Sequence, residues 1–224
     1  MKVCGIHQPT FFPWLGYFDK IKRSDIYVFL DQVDYQKSGG SMSSWCNRVK
    51  INIGGKAAWI SCPVIREHGK QIIQTVRIDN KRQWRTDLLN VLEENYKKSP
   101  NFEAGFKLIK NLLDKETESI ADFNIHVIEN LARKLGCQTK FIRQSSLPSI
   151  HETATNRLIA ICKEIGADTY LCGGGSGSYL DEGAFEKHGI ELVYQNFIPK
   201  PYGNTSTFIP GLSVIDFIMN ENLL

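Results

Sequence analysis

Short apolar runs recur along the chain, separated by longer stretches in which apolar residues fall at helical spacing. Val3 to Ile6 and Ile26 to Leu30 are the first two such runs, and they carry the signature of strands covered on both faces. Between them Trp14 to Lys22 has a helical pattern, broken at Ser24-Asp25. Strand, short helix, strand implies a parallel pair with a right-handed crossover. After a polar loop from Asp31 to Trp45, Arg48 to Ile53 alternates and reads as a strand. Gly54-Gly55 is a hairpin turn signal. Ala58 to Val64 is the expected partner strand, and Ile72 to Ile78 a further one, the three making an antiparallel excursion. Helical spacing then covers Trp84 to Lys97, Phe102 to Leu113 and Ile120 to Leu135.

Alternation resumes after Gly136. Thr139 to Arg143, Thr169 to Cys172 and Ile190 to Tyr194 read as strands. Thr153 to Ile165, Leu180 to Lys187 and Ser213 to Met219 read as helices. The pattern predicts one α/β domain over residues 1–224, Rossmann-like. Its mostly parallel sheet of about five strands would carry an antiparallel β insertion at 48–78 and a helical insertion at 83–135.

Composition narrows the partners. A net charge of +3 is compatible with an anionic small ligand and gives no nucleic-acid stripe. No apolar run reaches the length of a membrane span. Lys2, His7 and Gln8 interrupt the N-terminus, so no signal peptide is visible. The six cysteines form no CxxC pair, which points to reduced thiols in the cytoplasm and to no metal site. The sequence specifies neither a cofactor nor an oligomeric state.

The polar clusters follow the predicted strands. His7-Gln8 follows the first, Asp31 the second, Gln144-Ser145-Ser146 the third, Gly173-Gly174-Gly175-Ser176 the fourth and Gln195-Asn196 the fifth. Open α/β sheets bind ligands outside the carboxyl ends of their strands, so one composite site is expected there. Pro9 and Pro13 stiffen the first turn, which also presents Trp14. A stiff connector with His7 bonded to backbone is the plainer alternative.

Asp31 can hold a ribose hydroxyl, orient a base or bind a metal, or simply cap a strand in a solvated loop. With His7 it would make a base and its orienter. Tyr35 offers a flat face for a base or sugar. Asn47 and Arg48 open the third strand, where Arg48 and Lys50 share a face; arginine can grip phosphate bidentately. Gly173 to Ser176, with Tyr179 beyond, joins a strand to a helix and can offer backbone N–H groups to an anion. It is neither GxGxxG nor a Walker A sequence. Cys172 beside it reads as a buried strand-end residue rather than a nucleophile. His7 and Asp31 are thus the catalytic candidates. Gln8, Trp14, Tyr35, Asn47, Arg48, Gly173, Gly174, Gly175, Ser176 and Tyr179 are the substrate-binding ones, with Arg48 and the glycine loop holding phosphates.

Ile6-His7-Gln8-Pro9, Pro13-Trp14-Leu15-Gly16-Tyr17-Phe18, Phe29-Leu30-Asp31 and Asn47-Arg48 resemble the WbqC-like protein family, as do Asn156-Arg157-Leu158 and Tyr179-Leu180-Asp181. The likeness spans nearly the whole chain. Extra residues around Ser38 to Ser44 and a cysteine at 172, where a small serine is more usual, depart from the pattern. The resemblance implies a cytoplasmic protein of surface-polysaccharide (O-antigen) biosynthesis. It implies transfer of an acyl or aminoacyl group to a nucleotide-linked amino sugar. A non-catalytic nucleotide-sugar binding module and a scaffold of a polysaccharide assembly complex are the alternatives. A more distant likeness is to nucleotidyltransferase folds, but Phe11 and Trp14 stand where those proteins carry the histidines of HxGH.

Overall fold

A computed structural model of the chain describes residues 1–36, 44–174, 180–204, 206 and 208–222. Five parallel strands form the central sheet: β1 (Val3–His7), β2 (Ile26–Phe29), β7 (Lys140–Arg143), β8 (Thr169–Cys172) and β9 (Glu191–Tyr194). Their spatial order is β7-β2-β1-β8-β9. Counted in chain order within this sheet, that is third, second, first, fourth, fifth, the Rossmann-like arrangement. From β1 the chain builds outward in one direction through β2 to β7, then returns to place β8 on the other side of β1. The direction of winding therefore reverses between β1 and β8, where Val3, Cys4 and Gly5 pair with Thr169, Tyr170 and Leu171.

Side-chain alternation divides the core. Cys4, Ile6, Ile26 and Val28 pack on one sheet face with Ile159 and Cys162 of α5 (Ala154–Glu164) and Phe185 of α6 (Glu182–Lys187). Tyr27 and Phe29 point the other way, as the two-residue period of a strand requires. They join Phe18 and Ile21 of α1 (Leu15–Lys22) in a larger cluster. That cluster takes in α2 (Trp84–Tyr96), α3 (Phe102–Leu113), α4 (Ile120–Lys134) and α7 (Val214–Asn220).

Between β2 and α2, the strands β3 (Arg48–Ile53) and β4 (Lys56–Ser61) form an antiparallel hairpin. Gly54 and Gly55 turn it with φ of 59° and 82°, the backbone that a two-residue hairpin loop demands. The expected third strand of this excursion is corrected. β5 (Val64–Ile65) pairs instead with a two-residue β6 (Arg77–Ile78), and Ile73–Thr75 is a 3-10 turn. The reason is competition for hydrogen bonds. Ile73 N donates to Val33 O (3.0 Å) and Gln74 N to Asp31 O (2.9 Å), which ties the segment to the loop after β2. Among the described residues no helix is long and apolar enough to cross a membrane.

Candidate functional site

The turn after β1 is held from several sides. Phe11 N donates to Trp45 O (2.9 Å) and Val214 N to Pro13 O (2.9 Å). Ser213 Oγ donates to Phe12 O (2.7 Å). Asn124 of α4, fully buried, donates through Nδ2 to Pro9 O (3.0 Å) and Cys46 O (2.7 Å). Phe11 and Phe12 anchor the turn in the core against Phe123. The helices between β2 and β7, and α7 near the chain's end, thus fix the geometry of a turn whose residues follow directly from β1.

A cleft of about 690 Å³ opens above this turn, lined by His7, Gln8, Trp14, Lys20, Arg157 and Gly173 among others. A second cavity of about 380 Å³ adjoins it, sharing His7, Trp14, Tyr17 and Trp45 and otherwise lined largely by Thr10, Phe11, Pro13 and Val49. The main cleft lies at the carboxyl ends of β1 and β8, the switch point where such sheets bind ligands. Its described lining contains no aspartate or glutamate.

His7 ends β1 with its ring open to this cleft and meets Tyr17 edge-on, centroids 5.1 Å apart. Its Nδ1 lies 3.1 Å from Gln8 O. A carbonyl only accepts, so this bond places the proton on Nδ1 and leaves Nε2 as the ring's acceptor. Desolvation at the base of the cleft, followed by the Lys20 ammonium, lowers the imidazole pKa to about 4 while the ring itself stays accessible.

Lys20 is buried on α1 and donates from Nζ to Ile6 O (2.8 Å). Its ammonium lies 5.4 Å from the Tyr170 ring centroid, and burial pushes it down to about 8. Arg157, on the first turns of α5, uses Nε on Glu152 O (2.9 Å). Three non-glycine residues among those described have positive φ: Phe12 (37°), Ala154 (48°) and Asn196 (48°). Phe12 lies in the first turn, Ala154 lines the cleft, and Asn196 stands between the lining residues Gln195 and Phe197. Each such conformation costs about 1–3 kcal/mol; of the three, Ala154 lines the cleft itself.

The sequence-predicted residues separate into two groups. His7, Gln8, Trp14, Gly173 and Gly174 line the cleft together. Asp31 does not: it is fully buried and accepts from Ser145 N (2.9 Å) and Ser145 Oγ (2.6 Å). The expected pairing of His7 with Asp31 is therefore corrected, since each is bonded elsewhere. Tyr35 is buried and donates to Asn47 Oδ1 (2.8 Å), while Asn47 donates to Cys62 O (3.0 Å). Both brace the hairpin rather than line the cleft.

Arg48 lies on Trp59, its guanidinium carbon 4.2 Å from the ring centroid, with Lys50 Nζ 5.1 Å from the same ring. Trp59 in turn meets the cleft residue Trp45, centroids 5.0 Å apart. Arg48 is thus one aromatic layer removed from the cavity. Gly175, Ser176 and Tyr179 lie outside the described residues. Cys172 is fully buried, and burial raises its thiol pKa, opposite to what a nucleophile needs.

The profile of the WbqC-like protein family matches residues 8–223, which begin directly after β1 and include the turn, the hairpin, the connecting helices and β8. The chain belongs to the WbqC-like protein family. It is also similar to the Mycobacterium tuberculosis (strain ATCC 25618 / H37Rv) protein named "Uncharacterized protein Rv1507c", with 26% identity over 227 residues, 98% of this chain and 94% of that one. No solved structure matches.

Sequence reasoning missed Lys20, Arg157 and Asn124. Lys20 left a signal: it sits three residues after Tyr17 and directly before Ile21, on the apolar stripe of its helix. A lysine there is rarely fully buried without a reason.

Proposed function

We propose that this WbqC-like protein is a group-transfer enzyme of surface-polysaccharide biosynthesis, moving an acyl or aminoacyl group onto the amine of a nucleotide-linked amino sugar. The observation that carries this reading is the geometry of His7, which lines the cleft with Nδ1 committed to a backbone carbonyl and Nε2 left to accept a proton. In the proposed step the sugar amine attacks the acyl carbonyl of an activated donor. A nitrogen–carbon bond forms, and the bond from the acyl carbon to the donor's leaving group breaks. The proton lost by the amine passes to His7 Nε2 and then to the leaving group. The cleft supports the binding half of this reading through its cations and its flat aromatic wall at Trp14 and Trp45. The smaller apolar cavity beyond His7 offers room for the acyl chain.

A thermal-shift screen of nucleotide sugars identifies the acceptor, because a ligand that binds only the folded state raises its Tm. Mass spectrometry of the best acceptor with activated acyl and aminoacyl donors then reads the transfer. His7→Gln should spare acceptor binding and lower turnover by about 10²–10⁴-fold. An acceptor that stabilises the protein yet yields no acylated product with any donor would make it a binding module instead. An unchanged rate in His7→Gln would leave the turn a structural feature.

A further inference from the structure

Among the described residues the two buried carboxylates are answered by hydrogen bonds. Asp216 receives hydrogen bonds from Tyr96 Oη and Tyr202 Oη, 2.8 Å each, and Asp31 receives two from Ser145. Lys20 is as deeply buried, at 3% exposed. Of the three donors on its ammonium, one is given to Ile6 O, and no second hydrogen bond is made among the described residues. No carboxylate among the described residues forms an ion pair with it. A buried ammonium without a counter-ion is among the costliest placements a side chain can take.

The position of this charge is informative. Ile6 belongs to β1 and Tyr170 to β8, so the ammonium sits where the winding of the sheet reverses. Arg157 lines the same cleft and likewise has no ion pair among the described residues. The cleft thus carries two cations, and its described lining supplies no acid to either.

We propose that Lys20 and Arg157 form an anion subsite at the β1–β8 switch point that takes the phosphate oxygens of the bound ligand. This deepens the nucleotide-sugar reading and rests on it: the diphosphate lies over Lys20 and Arg157, not over Arg48. The ligand supplies the missing half of an ion pair that the protein has already desolvated. Arg48, stacked on Trp59, is left outside the phosphate contacts.

Pyrophosphate is the direct probe, with UDP compared against uridine to show whether the anion is delivered on a nucleotide. Pyrophosphate should raise the Tm of the wild-type chain, and the effect should weaken with added salt. Lys20→Met should weaken pyrophosphate about 10–100-fold, the worth of a charge-assisted hydrogen bond. The same substitution should raise the Tm of the ligand-free protein, because it removes an unanswered charge. A lysine kept for structure would do the opposite.

Arg157→Gln, at a partly exposed position, should weaken pyrophosphate while leaving the ligand-free Tm nearly unchanged. It carries the test if Lys20→Met does not fold. Equal pyrophosphate responses in wild type and both variants overturn the subsite, as does a lowered ligand-free Tm in Lys20→Met with full pyrophosphate affinity. Lys20-dependent pyrophosphate binding without any transfer product upholds the subsite and removes the enzyme. Transfer with an unaltered KM for the nucleotide sugar in Lys20→Met removes the subsite and leaves the enzyme.

Discussion

The protonation of His7 answers to burial first and to one neighbouring cation, Lys20, second. Enclosure and the Lys20 ammonium both disfavour the imidazolium of His7, which holds its pKa near 4. The ring should therefore titrate well below the ordinary histidine range when followed by NMR, and its midpoint should rise in Lys20→Met, where one of the two causes is gone. If His7 is the general base, transfer should be level through neutral pH and fall only as the pH approaches that midpoint. A midpoint near 6.5 that ignores Lys20 would contradict this picture.

Asp31 gives the converse case. Its two hydrogen bonds from Ser145 tie the loop after β2 to the residues after β7. Asp31→Ala should cost about 2–3 kcal/mol in chemical denaturation and leave the bonding of His7 intact. At this scale the sequence was only half legible. It marks His7 by its place at the end of an apolar run and just before two prolines, Pro9 and Pro13. It does not distinguish a carboxylate facing a cleft from one consumed by a serine 114 residues away, because that depends on which strands become neighbours.

At the level of elements, the turn between β1 and α1 depends on a glycine. A Cβ at Gly16 would lie 2.4 and 2.5 Å from carbons of the Trp14 indole, closer than any side chain tolerates. Gly16→Ala should push Trp14 from its place beside Phe197, at a cost of about 1–3 kcal/mol. A changed tryptophan emission and weaker ligand binding should accompany it. Unaltered emission would show that the indole is not held as described.

Asn124→Ala removes two hydrogen bonds to the turn and its neighbouring loop and should cost about 1–3 kcal/mol, read by the denaturation midpoint. Strands, helices and the hairpin follow from apolar periodicity and from Gly54-Gly55. The segment at Ile72 to Ile78 does not, since its backbone partners lie in the loop after β2 and not in the adjacent hairpin.

For the molecule as a whole, the sheet order decides where the site lies. Apolar runs predict parallel strands, and polar residues after them predict a shared edge. Neither specifies that β8 lies against β1, which brings Gly173 and Gly174 to the cleft of His7 and places Lys20 beneath it. The Arg48 side chain, by the same token, is carried onto Trp59 by the hairpin register, in which Lys50 faces Trp59 directly.

The central claim is that one cleft at the β1–β8 switch point receives the ligand. Hydrogen–deuterium exchange tests it most directly, comparing the protein alone with the protein saturated by the nucleotide sugar that gives the largest thermal shift. Protection should concentrate in residues 6–20, 154–158 and 170–174. Protection confined to the hairpin at 48–61, or no change in those three segments at saturation, would contradict it.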